Sequence, residues 1–382
     1  MLGQSPFKKE FQFADDLVYL NHAGVAPIPR RTQLVINELA SHTARYGASR
    51  YSELYERHQK ARSYCAELLH TTESRVAFTP NTSEGLCWVA MGMQWYPGDE
   101  IITTAVEFPS NAIIWLTMAE RYGVVVHRIP AEDDGHISWE KMLDKLNPRT
   151  RLLTVSSAQF SSGSVVDMAA IGEALKNHDA LFVVDAIQTL GAMDLAPDSL
   201  HIDALAADGH KWLLGPEGQG IFWLSEKGMA QIKPSILGWH SVVNAGDYDN
   251  ITTELKPDIQ RFEAGTPNLL GILALGESVA MLLEAGLDVV EKRVLGLSNQ
   301  FAKSLLQIGC KLHTPLDAKS APESGIVVFS HPDIETASLS KDLLKRDIYH
   351  AVRGGGIRFS AHFYQDDRDV DRALSGVKES LT

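Results

Sequence analysis

The chain has 382 residues, 45% of them hydrophobic and 22% charged, which allows more than one domain and a large buried core. Its formal net charge of -13 argues against a nucleic-acid binder or a polybasic membrane protein, while leaving room for a local positive pocket. The three cysteines, Cys65, Cys87 and Cys310, are scattered without metal-ligand spacing, so no disulfide framework and no metal site are expected, and a reducing compartment, the cytoplasm, is. The opening residues contain no apolar h-region, and no apolar run approaches the length of a membrane span.

Residues 1–18 read as an arm. Val18-Tyr19-Leu20-Asn21-His22-Ala23-Gly24 then reads as a short strand entering a glycine turn, with Pro27 and Pro29 ahead of a helix. Asn21 and His22 are candidate substrate contacts, although a plain turn with an Asn cap would look the same. Helical periodicity covers residues 30–70, interrupted by the polar, aromatic section at 46–51. Residues 76–79 read as a strand. Asn81 follows, with Glu84 three residues on, a capping-box-like helix start. The free N–H groups of that helix start, with the hydroxyls of Thr82 and Ser83, would make an anion site.

Further apolar runs lie at 100–104, 124–127, 152–156, 181–184, 204–207 and 220–224. With 76–79 they give about seven strands alternating with helical stretches, the pattern of a mainly parallel or mixed sheet with helices on both faces. Two of the runs end in chemistry. The run at 181–184 leads straight into Asp185, with Gln188 beyond it, at the carboxyl edge where open α/β sheets bind ligands. The run at 204–207 leads into Asp208-Gly209-His210-Lys211 and then a Gly/Pro turn. That pattern is expected to expose Lys211 at a turn between apolar strands, where its ammonium form is disfavoured and its amine can form a Schiff base with a carbonyl. A lone lysine would more simply be a solvated surface residue. Beyond residue 230 the alternation weakens, and residues 269–308 read as long helices with Gly271, Gly276 and Gly286 marking breaks or close packing. The runs at 310–314, 325–330, 337–345, 348–352, 356–360 and 369–381 then read as a small α+β domain. The expected division is an arm over 1–18, a large domain over 19–255 and a small one over 256–382.

Asp185, Gln188, His210 and Lys211, with the motifs around them, resemble the class V, fold-type I pyridoxal-phosphate enzymes, the superfamily of cysteine desulfurases, selenocysteine lyases, kynureninase and isopenicillin N epimerase-like proteins. The resemblance runs from Tyr19 to about Leu374. It implies that Lys211 holds pyridoxal 5'-phosphate, that Asp185 keeps its ring nitrogen protonated, and that His210 and Gln188 lie beside it. Thr82 and Ser83 match the hydroxyl pair that holds the phosphate. Phe108, in Glu107-Phe108-Pro109-Ser110-Asn111, takes the place of the ring-stacking residue, where desulfurases have a histidine. Gln159 is the nearest match to an amide near the ring and the substrate carboxylate. Asp208 stands where many relatives have a phosphate-binding serine, so it is expected to turn away or bond to backbone or water. Arg261-Phe262-Glu263-Ala264-Gly265-Thr266-Pro267-Asn268 resembles a motif whose threonine reaches the neighbouring subunit's cofactor, which implies a homodimer with active sites at the interface. Arg358 matches the arginine that grips the substrate α-carboxylate, with Arg353 close by.

These residues imply aldimine and Cα-carbanion chemistry on an amino acid, with Lys211 as the base for the Cα proton. Only Gly354, Gly355, Gly356 and Ile357 separate Arg353 from Arg358, so the cysteine-bearing loop of desulfurases is absent. That favours a C–S lyase or β-elimination, with transamination or an epimerase- or kynureninase-like reaction as alternatives. A binding protein of the same fold that had lost its chemistry would show erosion at Lys211 or Asp185. A dinucleotide oxidoreductase would need a G-x-G-x-x-G turn where Asn81-Thr82-Ser83-Glu84-Gly85 stands.

Overall fold

Strands buried on both faces read as unbroken apolar runs, and the central strands of this chain are of that kind. The computed structural model describes residues 3, 5–14 and 16–381. Met1, Leu2, Gln4 and Asp15 of the expected arm, and Thr382, lie outside the described residues. Strand Val18–Tyr19 (β1) and helices Arg30–Tyr46 (α1) and Tyr51–Leu68 (α2) come first. An alternating series follows: Val76–Thr79 (β2), Thr82–Gly92 (α3), Glu100–Thr104 (β3), Ser110–Tyr122 (α4), Val125–Ile129 (β4), Trp139–Leu143 (α5), Thr150–Ser156 (β5), Met168–Leu175 (α6) and Leu181–Asp185 (β6). Ala204–Asp208 (β7), Gly220–Leu224 (β8) and Glu226–Gln231 (α7) complete it.

Strands β2 to β8 form the expected seven-stranded sheet, in the order β2-β8-β7-β6-β5-β3-β4. Only β8 runs antiparallel to its neighbours. The carboxyl ends of the other six strands therefore share one edge. The outermost strand, β4, is half-exposed and carries His127 and Arg128, polar cover for an open edge.

Helix Leu269–Ala285 (α8) is apolar on nearly all sides and packs on α1 and α2. Gly271 and Gly276 lie within it rather than breaking it, and Gly286, at φ 83°, ends it. A Cβ at Gly276 would stand 2.5 Å from the Ala61 Cβ and 2.9 Å from its Cα, so this glycine sets how closely α8 meets α2. Among the described residues no single helix is long and apolar enough to cross a membrane.

Helix Leu287–Gln307 (α9) opens the C-terminal unit. It continues with Lys311–Leu312 (β9), Ile326–Ser330 (β10), Thr336–Lys345 (α10), Ile348–Tyr349 (β11), Ala351–Arg353 (β12), Gly356–Ser360 (β13) and Asp367–Ser380 (α11). An antiparallel sheet in the order β12-β13-β10-β9 packs its aromatics Phe329 and Phe359 on Phe301 of α9. The N-terminus joins this unit: β1 pairs in parallel with β11, Val18 against Ile348, and Val18 and Leu20 enter its core. That pairing carries Asn21 to a bridge with Ser360, two residues from Arg358.

Because the approach at Gly276 is against backbone as well as side chain, Gly276→Val should force α8 from α2 and cost about 1–3 kcal/mol. Urea denaturation of the cofactor-free protein would measure the loss, and an unchanged midpoint would contradict the packing described.

Candidate active site

Six strands end at the carboxyl edge of the sheet, and the segments after five of them, β2, β3, β5, β6 and β7, line one cavity of about 440 Å³. The turn after β1 and the hairpin of β12 and β13 close it from the other side.

The end of β7 supplies Asp208, and the loop after it His210 and Lys211. Lys211 is not exposed at the turn, as the sequence suggested; it is only 8% accessible. The turn at 21–26 and the C-terminal hairpin, both remote in sequence, cover the cavity it faces. Burial brings its pKa down to about 8; Asp185 opposes this and Arg358 adds to it. Its Nζ lies 5.5 Å from the centre of the Phe108 ring.

Asp185, at the end of β6, is buried in the cavity wall. Burial pushes its pKa up to about 7, the Ile187 N–H opposes that at 3.1 Å from Oδ1, and the charge of Glu107 adds to it. Gln188 ties the floor together, donating to Ala23 O and accepting from Trp212 Nε1, each at 3.1 Å.

The loop after β2 enters α3, where Asn81 accepts from the Glu84 N–H at 2.9 Å, the expected cap. Thr82 and Ser83 at the start of α3 face the cavity at the positive end of the helix dipole. Thr82 Oγ1 accepts from the Asp208 N–H at 2.9 Å, and Ser83 Oγ lies 2.7 Å from Ser110 Oγ. Asp208 corrects the expectation set for it: it lines the cavity, and its Oδ2 lies 3.1 Å from His210 Nδ1.

Phe108, after β3, and Phe160, after β5, meet edge to face at 5.1 Å and make the aromatic wall. Arg358 is 2% accessible. It donates to Phe160 O at 2.8 Å and to Asn21 Oδ1 at 3.1 Å, while its Nε has no partner. Burial and the nearby Arg353 charge lower its pKa to about 10, so it stays cationic at neutral pH.

Three expected site residues do not join this cavity. His22 is buried among protein groups, its ring bonded to Ser360 O at 2.8 Å and to Tyr364 Oη at 2.6 Å. Gln159 turns to Glu107, donating to Oε1 at 2.9 Å. Thr266 lies in a separate surface groove with Ile236, Phe262 and Trp88. Sequence reasoning missed Glu107, whose buried carboxylate also accepts from Thr104 Oγ1, Asn111 Nδ2 and the Ser156 N–H. All of these partners donate to it. An acid directly before the stacking phenylalanine was the available signal.

A family model for class V aminotransferases matches residues 18–373. The chain belongs to that family. It is a pyridoxal-phosphate enzyme acting on an amino acid. Probable cysteine desulfurases of Pyrococcus abyssi and Methanothermobacter thermautotrophicus are 26% and 27% identical to it. The alignments cover 98% and 95% of this chain and 96% and 94% of those proteins. The apo cysteine desulfurase of Thermococcus onnurineus NA1 superposes with a TM-score of 0.86 at 23% identity, over 98% of this chain and 97% of the other. The cystine C–S lyase C-DES, solved with cysteine persulfide, gives 0.88 at 22% identity, over 96% and 98%.

The residues present fit the cofactor. A buried amine of depressed pKa, a buried carboxylate that raises that pKa, an aromatic wall and a helix start with two hydroxyls meet in one cavity. The amine titration is open to measurement in cofactor-free protein. Competitive acylation read by mass spectrometry should give Lys211 a midpoint near pH 8. Asp185→Asn removes a charge that favours the ammonium form, so the midpoint should fall. A midpoint near 10.5, or an upward shift in that variant, would contradict the site electrostatics.

Proposed function

We propose that this enzyme is a C–S lyase that eliminates the side-chain thiol of an S-substituted or sulfur-bearing amino acid. The observation carrying this reading is the hairpin that joins Arg353 to Arg358. Arg353 pairs with Gly356, which leaves a two-residue turn of Gly354 and Gly355 with φ of 58° and 82°. Such a turn has no room for a loop that could deliver a cysteine. Cys65 and Cys310 lie in the packed cores and Cys87 within α3; none lines the cavity. Burial raises all three thiols, Cys65 to about 12 and Cys310 to about 11, so they are poor nucleophiles at neutral pH. The sulfur chemistry in the names of its relatives therefore has no protein thiolate to accept sulfur here. The free thiols also suit a reducing cytoplasm.

In this reading Thr82, Ser83 and His210 would hold the cofactor phosphate, Phe108 would cover the ring, and Asp185 would keep the ring nitrogen protonated. When bound, the cofactor withdraws electrons from the substrate Cα. Arg358, oriented by Asn21 and the Phe160 carbonyl, grips the α-carboxylate. Lys211 Nζ, deprotonated in part at neutral pH because it is buried, takes the Cα proton. The Cβ–S bond would then break, with the proton passing from Lys211 to the departing sulfur so that it leaves as a thiol, and water would hydrolyse the remaining fragment to pyruvate and ammonia.

We extend the proposal to a homodimer in which Thr266 reaches the partner's cofactor. The groove around Thr266 adjoins a segment that exposes Ile236, Leu237, Trp239, Tyr248 and Ile251, apolar surface that suits burial by a second copy.

Pyruvate and ammonia should appear from S-substituted cysteines without added keto acid, and a variant lacking all three cysteines should keep its rate within about twofold. A requirement for keto acid, or persulfide trapped on any cysteine during turnover, would overturn the lyase reading. For the dimer, co-expressed Lys211→Ala and Thr266→Ala subunits should form hybrids in which one site regains both wild-type residues. Activity should then exceed that of either variant alone, and no gain would argue against Thr266 acting across the interface.

A further inference from the structure

We propose that Arg353 reads a second anionic group on the substrate, so that the preferred substrates are amino acids whose side chain ends in a carboxylate or an equivalent oxyanion. The inference rests on the reading of Arg358 as the α-carboxylate grip and adds the substrate class to it.

The hairpin register carries the argument. Ala351 pairs with Arg358 and Arg353 with Gly356. Paired residues share a face and alternate residues return to it, so Arg353 and Arg358 lie on the same face as diagonal neighbours. Diagonal positions stand about 7–8 Å apart, too far to be one point of charge and near enough for one small molecule to meet both. Across this hairpin the residues opposite the two arginines are small, Gly356 and Ala351, and the other neighbour of Arg358, Val328 of β10, is apolar, so no cross-strand partner neutralises either guanidinium.

The tip of this hairpin is held in place. A Cβ at Gly354 would stand 2.0 Å from Ser161 O, so the turn lies directly against the loop that carries Phe160. Both arginines line the cavity, and among the described residues neither forms an ion pair. Arg353 donates only to the neighbouring Val352 O, at 2.8 Å, and Arg358 only to a carbonyl and an amide oxygen. Neither acid of the cavity pairs with them: Asp208 stands beside His210, and Asp185 at the end of β6 accepts from the Ile187 N–H. Two like charges at one end of a cavity, with no carboxylate between them, repel each other. An anion at each relieves that repulsion. In a chain of net charge -13, a doubly cationic mouth also favours entry of an anionic amino acid over a neutral one.

The test uses the cofactor-loaded enzyme and two probes of equal shape, S-carboxymethyl-L-cysteine and its neutral amide, S-carbamoylmethyl-L-cysteine. Binding is read from the change in cofactor absorbance, and pyruvate is measured separately, so failure of the lyase chemistry does not hide the binding preference. The wild type should bind the carboxylate about tenfold or more tightly than the amide. In Arg353→Gln the ratio of the two affinities should collapse toward one, and Arg353→Lys should restore part of it. Arg358→Gln should weaken both probes together. Equal wild-type affinity for the two probes, whether both bind or neither does, would overturn the proposal. So would an Arg353→Gln variant that loses both probes in equal measure, which would make Arg353 a second grip on the α-carboxylate.

Discussion

The structure turns on taking an amine and a carboxylate out of water at the same sheet edge. A buried charge is costly unless a partner offsets it, and both groups respond by moving toward neutrality. Burial is the leading cause for Lys211 and Asp185 alike, and each opposes the other's shift. Neither can relax toward solvent, because the strands that present them are fully buried. What results is an amine able to react and an acid that holds a proton more firmly than a surface aspartate does, two properties that pyridoxal phosphate chemistry uses.

That edge alone would be an open trough. The C-terminal unit turns it into a cavity, through a pairing distant in sequence. Because β1 joins β11, the start of the chain lies beside β13, and Asn21 and Arg358 arrive at the cavity together. Gln188 then links the Ala23 carbonyl to the Trp212 indole, so the covering turn is bonded to the floor beneath it. The aromatic wall and Arg358 thus come from different units, and the hairpin of β12 and β13 decides which side chains can reach between them.

Much of this was legible in the sequence. The strands ending in Asp185 and Asp208 are continuous apolar runs, as strands covered on both faces should be, and the Asn81 cap follows from its local spacing. Local pattern could not show the burial of Lys211, which depends on segments near residues 24 and 358. His22 looked like a site residue because it follows Asn21, yet its ring is bonded to Tyr364, 342 positions away. Gln159 is likewise held from a distance: its amide donates to Glu107, 52 positions away. Asp208 was expected to avoid the cavity because the expectation weighed its charge alone, without the imidazole that stands beside it.

Every role proposed for this site depends on the cofactor being held at Lys211, on the carboxyl edge of the sheet. Borohydride reduction of the cofactor-loaded protein, followed by peptide mapping, tests it most directly. The reduced adduct should lie on the peptide containing Lys211 and be lost in Lys211→Ala, with the variant still folded by circular dichroism. A reduced adduct on any other lysine of the wild-type protein would contradict it.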